Sequence, residues 1–186
     1  MVITLSELLK KKLQGKVIIF ETDTVYGIGC LYRDVESVKR IYEIKKREPK
    51  KPMALLCANI DQVKTLVTNF EVGEPYASKY WPGALTLIFN KNNDEIDDVI
   101  TSNQPTVGIR IPDSETALKI LSHFGPMVVT SLNLSSEPAI LKYSDALAFD
   151  SVADYIVSGQ DLSAVASTVY DPSCHKTLRQ GKIVID

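Results

Sequence analysis

Seven basic residues, Lys39, Arg40, Lys45, Lys46, Arg47, Lys50 and Lys51, lie within 13 consecutive positions against two glutamates. One third of the chain's 21 basic residues is thereby gathered in one place. Such a cluster suits an anion, above all phosphate, and taken alone it suits a solvated helix face equally well. Three further segments are rich in hydroxyl groups: Glu21-Thr-Asp-Thr-Val-Tyr-Gly27, Thr130-Ser-Leu-Asn-Leu-Ser-Ser-Glu-Pro138 and Ala166-Ser-Thr-Val-Tyr-Asp171. Each is placed after a predicted strand, where α/β sheets collect their ligand groups. With hydroxyls dominant and no obvious general base, they suit ligand positioning better than proton abstraction. Turn and cap chemistry would account for any one of them, but less readily for all three beside a basic cluster.

Several sites are excluded. There is no G-x-x-x-x-G-K-[ST], and Gly27-Ile-Gly29 lacks the third glycine of a dinucleotide cradle. A Ser-His-Asp triad or a histidine metal site would need both histidines, His123 in a predicted helix and His175 in a turn. Cys30, Cys57 and Cys174 are odd in number and far apart, which fits reduced, mostly packing thiols and neither a disulfide framework nor a zinc knuckle.

The elements that must position these groups follow from periodicity. Thr4-Leu-Ser-Glu7 has capping-box spacing and predicts a helix to about Gly15, followed by a strand from Lys16 to Phe20. Asp34 caps a predicted helix that stops before Pro49, so the basic cluster begins on a helix and ends in a loop. Strands are expected at Met53 to Cys57, Ala84 to Phe89, Thr106 to Ile111, Met127 to Thr130, Tyr155 to Val157, Thr168 to Tyr170 and Lys182 to Ile185. Helices are expected at Ile60 to Val67, at Glu74 to Tyr80, and from an Asp113 cap to Phe124. Short alternation of the two predicts a single α/β domain on a twisted, mostly mixed sheet with flanking helices. The 186 residues, 45% of them hydrophobic, suffice for one core. No apolar run approaches the roughly 18 residues of a membrane span and the N-terminus lacks signal-peptide features, so the expected compartment is the cytoplasm, with no membrane partner.

Six ordered segments together resemble the YrdC family of L-threonylcarbamoyladenylate synthases. They are Thr22-Asp-Thr-Val-Tyr-Gly27, Ile44-Lys-Lys-Arg-Glu-Pro-Lys-Lys-Pro-Met53, Trp81-Pro-Gly83, Val107-Gly-Ile-Arg-Ile-Pro112, Thr130-Ser-Leu-Asn133, and Ser167-Thr-Val169 with Arg179-Gln-Gly181. The resemblance implies a YrdC-like domain over residues 1–186, in the short single-domain form, with a positively charged concave cavity. It implies that L-threonine and bicarbonate give a carbamate, which attacks the α-phosphorus of ATP and releases pyrophosphate. It also implies that the product serves N6-threonylcarbamoyladenosine (t6A) formation in tRNA through separate transferase proteins. Direct contact of tRNA with this chain stays open.

By the same resemblance, Lys45, Arg47 and Lys51 act on the phosphates. Thr24, Arg110 and Ser167 hold threonine, with Arg110 as a fork on its carboxylate. Thr106, Ser131, Asn133 and Arg179 join Arg47 and Lys51 around the nucleotide. Mg²⁺ is expected to ride on ATP without a protein metal site, and Trp81-Pro82-Gly83 to be a structural turn. Arg110→Lys is expected to weaken threonine binding with little effect on the fold. Two positions depart from the family pattern: Leu55-Leu56 stands where many members carry a histidine, and Leu132 where the residue is usually small. Two other readings are an RNA-binding module without catalysis, which the basic stretch favours, and a carbamoyl-transfer domain.

Overall fold

A computed structural model describes residues 1–185. The capping box at Thr4 and Glu7 starts a helix, but α1 spans only Leu5–Leu8. Leu8 and Leu13 are buried in the same apolar layer, and five residues at about 100° each put them on different sides of a helix, so the helix must break for both to be buried. Gly15 closes the break at φ +73° and donates its N–H to Asp34, 2.5 Å away. Asp34 also caps α2 (Val35–Ile44) by accepting from Ser37. Beyond α3 (Ile60–Leu66), α4 (Glu74–Tyr80) and α5 (Asp98–Thr101), the helix α6 (Glu115–Phe124) is capped by Ser114 rather than Asp113, through Ser114 Oγ and the Ala117 N–H.

Ten strands form one mixed sheet among the described residues. They are β1 (Val2–Ile3), β2 (Ile18–Phe20), β3 (Gly27–Leu31), β4 (Ala54–Leu56), β5 (Leu85–Asn90), β6 (Thr106–Arg110), β7 (Met127–Ser131), β8 (Tyr155–Val157), β9 (Thr168–Asp171) and β10 (Lys176–Arg179). Their spatial order is β1-β8-β2-β3-β7-β4-β6-β5-β9-β10. The predicted strand at Lys182 to Ile185 does not form. Instead Asp171 accepts from the Ser173 N–H, a side-chain-stabilised turn that reverses the chain into the antiparallel β9–β10 hairpin. β3 was not foreseen because its Gly-Ile-Gly-Cys stretch is poor in strand formers. The glycines are what permit it: a Cβ on Gly29 would lie 2.6 Å from the Val128 carbonyl oxygen of the neighbouring strand.

Alternation along the strands sorts the two faces. One face carries Ile19, Ile28, Leu55, Leu87, Ile109 and Val128 into a core shared with Val38 and Ile41 of α2 and with Val63 and Leu66 of α3 (Ile60–Leu66). The other buries Ile18, Phe20, Leu56, Met127 and Val129 against Ala117, Ile120 and Leu121 of α6. This second cover includes nothing from β5, β6 or β9. There the same sheet face, with Thr86, Ile88, Thr106, Gly108, Arg110 and Val169, floors an open cavity. No helix among the described residues is long and apolar enough to cross a membrane.

Candidate functional site

The cavity encloses about 410 Å³, within the range of small-molecule sites. Its walls come from the three hydroxyl-rich segments and from the loop after α2, and three arginines reach it: Arg47, Arg110 and Arg179. Backbone carbonyls hold each in place. Arg47 donates to Lys51 O at 3.0 Å and Pro52 O at 2.8 Å. Arg179 donates to Ser167 O and Ser167 Oγ, both at 3.0 Å, and Ser167 Oγ lies 2.8 Å from Thr86 Oγ1. Arg110 Nε donates to Gly83 O at 3.0 Å, so the Trp81-Pro82-Gly83 turn serves as an anchor for it.

The inner end is the most tightly organised. Arg110 is 6% exposed; its Nη1 donates to Thr24 Oγ1 at 2.9 Å and its Nη2 forms a close ion pair with Asp23. Thr24 Oγ1 is 3.0 Å from Thr22 Oγ1, and Thr22 donates to Val25 O at 2.7 Å. Three of the guanidinium's five N–H groups are thus engaged, leaving one on each terminal nitrogen without a protein partner. Burial pushes Arg47, Arg110 and Arg179 below the ordinary arginine range. Arg47 adds repulsion on Arg179, and Arg179 adds it on Arg110, which Asp23 offsets in part. A bound anion would relieve both the burial cost and the repulsion.

Of the residues expected here, Thr24, Arg47, Thr106, Arg110, Ser131, Ser167 and Arg179 line the cavity, whereas Lys45, Lys51 and Asn133 do not. Lys45 is buried beneath the Ser131–Asn133 turn. Lys51 turns outward to Glu48 at 3.1 Å, and it is its carbonyl that holds Arg47. Asn133 is occupied within its own turn, accepting from Lys45 and Ser131 and donating to Glu137 O at 2.6 Å. The rest of the basic cluster also disperses: Lys39 pairs with Glu36, Arg40 with Asp154 and Lys50 with Glu48, while Lys46 is exposed.

Asp23, Thr22 and Thr86 were not singled out from the sequence. Asp23 lies inside a motif already quoted, and Thr86 is the one polar residue in the run Leu85 to Phe89. Cys30 and Cys57 are buried free thiols, raised well above the ordinary range by burial, and Cys174 is exposed. Among the described residues no group of three or more His, Cys, Asp or Glu could hold a metal ion.

A mixed sheet with one face left open over an arginine-lined cavity defines an α/β ligand-binding domain suited to an anionic small molecule. Residues 10–181 match the model of the Sua5_yciO_yrdC family, described as telomere recombination, and the chain belongs to that family. It is 37% identical over 128 residues to a threonylcarbamoyl-AMP synthase of Pyrococcus abyssi, covering 68% of this chain and 37% of the relative. It is 34% identical over 161 residues to a threonylcarbamoyl-AMP synthase of Bacillus subtilis, covering 84% of this chain and 46% of the relative. The crystal structure of P. abyssi Sua5 complexed with L-threonine superimposes with a TM-score of 0.86 at 30% identity, covering 92% of this chain and 54% of that one. The chain thus spans about half the length of these relatives or less.

Proposed function

We propose that the chain is an L-threonylcarbamoyladenylate synthase. The observation that carries this reading is the convergence of Arg47, Arg110 and Arg179 on one cavity, in a family whose relatives include threonylcarbamoyl-AMP synthases and a Sua5 complexed with L-threonine. In this reading the free fork of Arg110 takes the threonine carboxylate, with Thr24 and Ser167 beside it. Arg47, Arg179, Ser131 and Thr106 face the nucleotide. Mg²⁺ enters with ATP as part of that substrate.

The chemistry asks little covalent work of the protein. The threonine amine adds to bicarbonate carbon and water leaves, giving the N-carboxylate; one of its oxygens attacks the α-phosphorus, and pyrophosphate departs. Two anions must be brought together and the charge on the leaving group balanced, which fixed guanidinium groups in a partly desolvated cavity do well. Lys51 can join them by exchanging Glu48 for a phosphate, a change that costs little for an exposed pair. The product would be passed in the cytoplasm to a separate transferase that modifies tRNA. Pyrophosphate release should require L-threonine, bicarbonate and Mg-ATP together. Equal release without threonine or without bicarbonate would reduce the protein to a nucleotide hydrolase and overturn the reading.

A further inference from the structure

The buried ammonium of Lys45 belongs to the basic cluster yet has no place on the cavity surface. Lys45 is 2% exposed. Its Nζ donates to three oxygens: Ser131 O in a close contact, Asn133 O at 2.8 Å and Asn133 Oδ1 at 2.7 Å. An ammonium has three donors, so every N–H is used and none remains for a phosphate. The backbone of Lys45 holds the same segment from its other end, because its carbonyl accepts from the Ser135 N–H at 2.9 Å. Asn133 Oδ1 in turn accepts from Ser131 Oγ at 2.8 Å, and Ser131 is the residue of this turn that lines the cavity.

We propose that Lys45 is a positioning residue: its ammonium pins the Ser131–Asn133 turn against the end of α2, and it acts on bound nucleotide only through that turn. Two carbonyl oxygens and an amide oxygen converge on the Lys45 ammonium; without it the amide oxygen keeps only Ser131 Oγ and both carbonyls lose their charged donor, a loss that is costly for a buried acceptor. No apolar side chain could hold this turn, and arginine's planar fork does not match a compact cluster of three acceptors. The role rests on the nucleotide-binding part of the synthase reading and adds to it a division of labour within the cluster, in which Arg47 faces the ligand and Lys45 builds the wall.

The test is calorimetric titration of AMP and of Mg-ATP into the unsubstituted protein, Lys45→Met and Asn133→Ala, each checked for a cooperative thermal transition. If Lys45 acts through the turn, Asn133→Ala, which leaves the lysine charge in place, weakens AMP and ATP by the same factor, about tenfold. Lys45→Met does likewise, and the double variant loses no more than the worse single one. If Lys45 reaches phosphate itself, Asn133→Ala frees one of its N–H groups and shifts selectivity toward ATP, while Lys45→Met costs ATP far more than AMP; either result overturns the proposal. Asn133→Ala decides the matter even should Lys45→Met fail to fold. Absence of nucleotide binding to the unsubstituted protein would overturn the synthase reading itself, a different outcome from either.

Discussion

Replacing Arg110 by lysine keeps the charge and removes the planar fork, and the structure gives the size of two separate effects. In the native site the guanidinium joins Gly83 O, Thr24 Oγ1 and Asp23 from three different nitrogens. A single ammonium on a shorter stem can keep the Asp23 pair but not all three directions. Charge-assisted hydrogen bonds contribute about 1.5–3 kcal/mol each, so losing one or two, with partial recovery, should destabilise the fold by about 2–4 kcal/mol. For a chain of this length that lowers Tm by roughly 4–16 °C. This departs from the expectation from sequence of little effect on the fold, because the side chain is buried and joined to the Gly83 turn. Separately, loss of one arm of the fork on a bound carboxylate should weaken L-threonine about 10- to 150-fold, with Mg-ATP affinity changed less than about threefold. Thermal melting and calorimetric titration of both ligands separate the two effects. A fall in Tm with unchanged threonine affinity would leave Arg110 as an anchor only and refute the carboxylate assignment; an unchanged Tm would refute the energetic reading of its three contacts.

Three other outcomes are expected. Asp23→Asn removes the carboxylate partner of a buried guanidinium and should cost up to about 3–5 kcal/mol of stability, with L-threonine restoring more Tm than it adds to the unsubstituted protein; no extra gain from threonine would show that its carboxylate does not reach Arg110. Arg47→Ala should weaken Mg-ATP about 10- to 150-fold while Lys46→Ala, exposed and facing away, leaves it unchanged, and equal losses in titration would mean that the cluster acts as a diffuse field. Gly108→Val puts a Cβ 3.1 Å from Thr86 Cγ2 and its methyl groups into the cavity floor, so threonine and ATP binding should both fail in a protein that still melts cooperatively; retained binding would place the ligands elsewhere.

Much of this site was legible in the residues because period and motif act locally. Alternation in Thr106 to Arg110 is enough to put Thr106 and Arg110 on one face of their strand, whereas Ser131 joins that face only through the register of β6 and β7 on β4; helix caps at Thr4 and Asp34 need only neighbouring backbone N–H groups. β10 was not legible: all four of its residues are exposed, so it carries no apolar alternation, and it is a strand only because the turn at Asp171 returns it to β9. The roles within the basic cluster were also beyond local reading. Lys45, Lys46 and Arg47 are consecutive cations of similar length. Lys46 adopts φ +48° just past the end of α2, and the chain turn there sends its neighbours to different surroundings. Lys45 meets three oxygens from residues 86 to 88 positions away in sequence, while Arg47 is braced by carbonyls four and five residues away and faces the cavity. The sequence determined that cations would gather beside the sheet's ligand edge. Which of them stays available to a ligand was decided by the tertiary structure, because a buried ammonium goes to whichever acceptors the fold brings within reach, and those lie on a distant part of the chain.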